Sequence, residues 1–197
     1  MNVDGNDSWR VFCAIELPQA TRGVVLAHIA RLKEKVPHAK ASWARHENLH
    51  LTLKFLGEIP ATSVADFSKA VSLAVSRVQP FAISLEQTGA FPMHGQPRVL
   101  WIGINDPSTQ LAELHAHLEE ESSQVGFAKE TRPFHPHLTI ARLRHADNAR
   151  ALAAAHKQLE FDPVEVTVAE LLVIRSELSS AGSKYTTVSR HELFGVR

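Results

Sequence analysis

The sequence predicts an α+β fold of two lobes in one compact unit, and two observations carry that expectation. One is a four-residue word that occurs twice, His50-Leu51-Thr52-Leu53 and His137-Leu138-Thr139-Ile140, 87 positions apart. The other is the alternation of strand-like and helix-like segments around each copy, with no long linker between them. A helix-like segment begins about 30 residues upstream of each copy, near Pro18 and near Pro107, and another follows each one. The duplicated unit is therefore larger than four residues.

In chain order, residues 1–8 are polar and acidic without an apolar stretch, and read as a loose terminus rather than a signal peptide. Residues 9–197 read as a single bilobal domain. Residues 8–17 form an apolar strand stopped by Pro18, which opens a helix to about residue 36. Val24, Val25, Ile29, Leu32 and Val36 give that helix its stripe. A short strand at 41–44 carries Trp43, and 48–56 is the first motif strand, closed by Gly57. Pro60 and Thr62 open a second helix to about 78, with Val64, Phe67, Val71 and Val75 at helical spacing.

Strands at 81–85 and 98–104 flank a Gly/Pro-rich loop, 89–97, in which His94 reads as a solvated residue. A third helix spans 107–124; His115 and His117 within it are two apart and cannot share a face as a metal pair. The second motif strand runs to 143, and an Ala-rich helix follows at 147–159. Residues 164–175 and 184–193 read as a closing pair of strands joined by 179–183.

The repeated word has a chemical consequence. Side chains at i and i+2 share a strand face, so His50 and Thr52 point one way while Leu51 and Leu53 point to the core. The same holds for His137 and Thr139. A single such word fits a strand with no chemistry at all, since Leu, Thr and His all sit comfortably there. If the two strands lie side by side, matched parity makes two imidazoles and two hydroxyls converge on one point. Imidazoles titrate near 6.5 and can serve as acid and base at neutral pH without a metal.

Composition limits the substrate. Lys+Arg and Asp+Glu both count 21, which offers no broad basic face for a long nucleic acid. Any nucleic-acid contact is then with a short end. No apolar run reaches the length of a membrane span. The single cysteine, Cys13, lies in an apolar run, cannot form an internal disulfide, and reads as core packing in a reducing, cytoplasmic setting.

At this point the residues resemble a known family. HLTLKFLG at 50–57 and RPFHPHLTIARL at 132–143 look like the two signature segments of the 2H phosphoesterase superfamily. More narrowly they resemble its RNA 2′,3′-cyclic phosphodiesterases, historically called 2′-5′ RNA ligases. RVFCAIELP at 10–18, PRVLWIGI at 97–104 and residues 171–193 resemble further common stretches, so the likeness spans nearly the whole chain.

The resemblance implies a bilobal, pseudo-two-fold fold in which each lobe brings one antiparallel sheet, flanked by helices, and one HxT strand to a central cleft. It implies His50 as proton donor and His137 as proton acceptor in opening an RNA 2′,3′-cyclic phosphate to a 2′-phosphomonoester, with reversible 2′-5′ ligation as a related reaction. Thr52 and Thr139 would bind the non-bridging oxygens, with no cofactor and no metal. The expected ligands are RNA ends or small cyclic nucleotides, bound by a monomer that needs no protein partner.

A developing phosphorane charge also calls for a cation, and Arg132 is the candidate because a guanidinium forks onto phosphate. By parity Lys54 shares the His50 face and either reaches phosphate or stands solvated at the rim. Phe55 falls on the core side, Arg142 faces away from His137 toward a salt bridge, and His135 shares the His137 face. Two rival readings stand beside this one. A metal-dependent hydrolase would use His135 and His137 as an HxH ligand pair, and a non-catalytic module would bind a nucleotide or RNA end without turnover.

Overall fold

The computed structural model describes residues 7–144, 148–179 and 182–195. Asp147, where the fourth helix was expected to start, and Ser180 and Ala181 of the last hairpin lie outside the described residues, as do 1–6 and 196–197. Nine strands and four α-helices are formed among the described residues: β1 Ser8–Glu16, α1 Gln19–Lys35, β2 Ser42–Trp43, β3 His50–Pro60, α2 Val64–Val75, β4 Phe81–Phe91, β5 Val99–Asn105, α3 Gln110–Gln124, β6 His137–Arg142, α4 Ala149–Gln158, β7 Val164–Val168, β8 Glu170–Ser179 and β9 Gly182–Glu192. Ser8, expected to be loose, already pairs with Pro60.

The strands make two antiparallel sheets, one in the order β3-β1-β8-β9 and one in the order β2-β6-β5-β4-β7. The α+β, two-sheet expectation holds, and each sheet carries one copy of the repeated word. The lobes, however, are not the two halves of the sequence. Residues 164–175, expected as one strand, divide at Ala169: β7 pairs with β4 in one sheet and β8 with β1 in the other. The unbroken apolar run hid the break because β8 is buried on both faces, from Leu171 to Ile174.

Helix termini follow local chemistry. Pro18 precedes α1, and its carbonyl accepts the Arg22 N–H at 3.0 Å. The Asp106 carboxylate accepts the free N–H groups of Leu111 (2.9 Å) and Ala112 (3.2 Å) at the start of α3. The predicted stripe of α2 is fully buried, while Val24 of α1 is exposed and its place is taken by His28.

Two glycines explain why two strands outrun their predicted ends. Gly57 takes φ +73 directly after a bulge at Leu56, so β3 continues to Pro60. At Gly89 a Cβ would meet the Trp101 ring at 2.1 Å, so this glycine is the bed of the indole and β4 continues to Phe91. The main core is one continuous cluster drawing on both sheets, from Val11 and Leu51 to Leu138 and Val166. Cys13 is wholly buried in it, and burial pushes its thiol pKa well up, away from any nucleophilic role.

α1 and α4 meet through two buried histidines. His156 bonds the Trp101 carbonyl through Nε2 at 2.9 Å, which makes Nδ1 the acceptor for His28 Nε2–H at 3.1 Å. His28 Nδ1 is left without a partner, and burial followed by the neighbouring His156 and Arg31 holds His28 down to about 4. The folded state therefore binds fewer protons here than the unfolded chain between pH 6.5 and 4. Stability from this group is complete above 6.5 and declines as pH falls toward 4. Thermal melts across that range should show a falling midpoint, and His28→Gln should flatten the slope; an unchanged slope would assign the acid sensitivity elsewhere.

Candidate active site

The site begins with a bulge. In the β1–β3 ladder Cys13 faces Lys54 and Ala14 faces Thr52, so Leu53 is an extra residue. In the β5–β6 ladder Leu100 faces Ala141 and Trp101 faces Thr139, so Ile140 is the extra residue at the same position behind its motif. Up to the threonine each strand alternates as expected: Leu51 and Leu138 are buried, while His50, Thr52, His137 and Thr139 are partly or fully exposed. β3 and β6, the two strands that carry the HxT words, approach one another, one from each sheet.

Beyond the bulge the parity flips, and three sequence-based placements are corrected by this one feature. Lys54 turns inward and is buried, bonded to Glu119 at 2.8 Å and the Ala128 carbonyl at 2.9 Å. Phe55, expected in the core, is 52% exposed with the Arg10 guanidinium 4.5 Å from its ring centre. Arg142, expected to face away, is exposed on the same side as His137 and Thr139, and its charge acts on His50.

Each histidine is held in two ways. His137 Nδ1–H donates to the carbonyl of His135, two residues back, at 2.7 Å, which leaves Nε2 as the free, accepting nitrogen. His50 likewise bonds the carbonyl two residues back, that of Asn48. Aromatic rings fix the ring planes. Phe12 stacks on His50 at 4.8 Å and Tyr185 meets its edge at 5.2 Å, on a small apolar floor with Ala14, Leu172 and Ile174. Phe91, itself tilted against Trp101, meets His137 at 5.1 Å.

These aromatic neighbours were not read from the sequence. The strand of Phe12 is apolar on both faces, which gives no parity signal, and Phe91 lay in a stretch read as loop.

The surroundings set the charge of His50. Burial on the aromatic floor, then Arg22, then Arg142 push its pKa down to about 4, against the Asn48 carbonyl, which raises it. Arg22 is anchored on Glu16, the cross-strand neighbour of His50, at 2.6 Å, and its Nε is buried without a partner. A groove of about 460 Å³ opens there, lined by Glu16, Arg22, His46 and Glu170 among others.

Arg132 is placed differently from its expected role: Glu130 holds its Nε at 3.1 Å and Nη2 at 2.7 Å, and its side chain is 83% exposed. His135 is exposed, and its carbonyl rather than its ring serves the site. Among the described residues no group of three or more His, Cys, Asp or Glu gathers as a metal site. His94 is exposed at the loop tip.

Two antiparallel sheets, each with one HxT strand and flanked by helices, define the two-sheet α+β phosphoesterase architecture. The chain belongs to the 2′-5′ RNA ligase superfamily, whose family model matches residues 22–179. It is 33% identical over 180 residues to the RNA 2′,3′-cyclic phosphodiesterase of Methanothermobacter thermautotrophicus, covering 90% of this chain and 95% of that one. Among solved structures it is similar to TT0787 of Thermus thermophilus (TM-score 0.75, 27% identity, 95% of this chain and 100% of that one). It is also similar to Escherichia coli LigT complexed with 3′-AMP (TM-score 0.71, 28% identity, 95% of this chain and 99% of that one).

The imidazole of His50 should titrate near 4 in the free protein and move upward when inorganic phosphate occupies the cleft, because an anion offsets the two arginines. Histidine NMR titration with and without phosphate reads this. A free-protein midpoint near 6.5 would show that neither the floor nor the arginines govern the ring.

Proposed function

We propose that this chain is an RNA 2′,3′-cyclic phosphodiesterase that opens a 2′,3′-cyclic phosphate end to a 2′-phosphomonoester. The proposal is supported by the approach of β3 and β6, which each carry one HxT word, and by the tie of each histidine to the carbonyl two residues back. Residues 9–197 act as one bilobal unit, a cytoplasmic monomer without cofactor or metal. Its ligands are RNA ends or small cyclic nucleotides. The named relative and the 3′-AMP-bound neighbour support that substrate class.

In this reading the Nε2 of His137 takes a proton from water as its oxygen attacks phosphorus. The P–O3′ bond breaks in line, and His50 gives its proton to O3′. Each proton transfer by a positioned group is worth about 10²–10⁴-fold. Thr52 and Thr139 donate their hydroxyls to the non-bridging oxygens. His50 is held neutral in the empty cleft by its floor and by Arg22 and Arg142. The negative charge of the bound phosphodiester restores its proton, so the acid is loaded by the substrate it serves. With a 5′-hydroxyl in place of water, the same groups run 2′-5′ joining.

Arg142 is the cation that faces the developing charge, and Arg132 stands at the rim with Glu130. Arg142→Ala should lower kcat/KM by about 10²-fold or more, on the scale of removing one donor to a developing charge. Arg132→Ala should cost less than about 3-fold, on the scale of an exposed ion pair. Steady-state kinetics on a 2′,3′-cyclic nucleotide compares them, and the reverse order would return the phosphate contact to Arg132.

His50→Ala and His137→Ala should each remove at least about 10²-fold of turnover while leaving the fold intact. Turnover should survive strong chelators, and phosphorus NMR should show the 2′-phosphate. Loss in chelator with recovery on zinc would favour the His135/His137 metal hydrolase. Binding of cyclic nucleotide without any turnover would favour the non-catalytic module, and a 3′-phosphate product would reverse the two roles.

A further inference from the structure

We infer that the buried Lys54–Glu119 pair is a positioning device for His137, acting across the cleft from the sheet that carries His50. The inference rests on the catalytic reading above but concerns residues outside it. Segment 125–136 leaves α3 and delivers the chain to β6 without regular structure. Its anchors come from the His50 side of the molecule, where α3 packs on β3 and α2. Phe127 meets Phe67 of α2 edge-on at 5.4 Å. Lys54 Nζ, turned inward by the bulge at Leu53, donates to the Ala128 carbonyl at 2.9 Å and to Glu119 at 2.8 Å. The same carboxylate oxygen accepts the Glu130 N–H at 2.9 Å.

Further along, His115 of α3 lies flat on Phe134, ring centres 3.8 Å apart and planes within 8°. The next residue is His135, whose carbonyl fixes the Nδ1–H of His137. The crossing to the second sheet is therefore made over His135 and Pro136, directly after the last anchor. A buried ion pair is seldom retained for stability alone, since apolar replacements of similar volume are often neutral or better. Here its polar atoms do what apolar ones cannot: they take the carbonyl of Ala128 and the N–H of Glu130. A displacement of about 1 Å at a reacting group can cost about 10²-fold. Where the strap is pinned thus sets how His137 faces the phosphate.

The test replaces the pair as a unit, Lys54→Met with Glu119→Leu, which keeps the volume and removes both anchors. Thermal midpoint, kcat and KM on a 2′,3′-cyclic nucleotide, and the ring 15N shifts of His137 are compared with the unaltered chain. The expected result is a midpoint near that of the parent, kcat lower by about 10-fold or more with KM changed less than about 3-fold, and a mixture of ring tautomers in place of the Nδ1–H form. Unchanged kcat and tautomer in a folded double variant would overturn the inference. If the double variant does not fold, His115→Leu, which leaves the ion pair intact, should show the same tautomer mixing, and its absence would equally overturn it. The 15N readout needs no turnover, so it tests the strap even if the chain proves not to hydrolyse cyclic phosphates.

Discussion

One extra residue behind each threonine is the constraint on which the rest of the site depends. A bulge cannot be removed without reversing every side chain that follows it. Leu53 and Ile140 therefore decide at once that Lys54 and Ala141 look into the protein and that Phe55 and Arg142 look out. The inward pair differs between lobes: a lysine that needs a carboxylate on one side, an alanine that needs only space on the other. The outward pair differs too, an aromatic ring with a guanidinium above it against an exposed guanidinium. A backbone feature that is the same in both lobes thus gives the cleft unlike ends.

The histidines illustrate how a repeated geometry takes on different electrostatics. Both rings are oriented by a carbonyl two residues upstream, a short-range tie that costs nothing in long-range order. His50 then rests on an apolar floor between two arginines and sheds its proton readily. In the proposed reaction this is the ring that an anionic substrate would reprotonate.

Much of this was legible before any coordinates. The two HxT words carried the strands and the faces of His50, Thr52, His137 and Thr139, because period-two alternation survives as far as the threonine. What followed the threonine was not legible, since a bulge leaves no mark in composition: Leu53 and Ile140 look like ordinary strand residues. The division at Ala169 was hidden for a related reason, an apolar run that continues through a change of sheet. Phe12 gave no signal because its strand is apolar on both faces, and Phe91 because the Gly/Pro content around it reads as loop. The chemistry of Arg132 suits a phosphate, but Glu130, two residues before it, takes the guanidinium instead.

The route of the chain through the two sheets has a consequence for how the protein comes into being. β1 waits for β8, so Arg10 finds Ser176 only when most of the chain exists. α1 leaves the first sheet to lie with α4, and α3 leaves the second to lie on β3 and α2. Neither half can therefore close its own apolar surface while it emerges from the ribosome. Such non-local pairing slows folding and leaves apolar surface uncovered in the meantime. The first sheet is complete only when its last hairpin is made, so the two strands that carry the HxT words gain their full frame late.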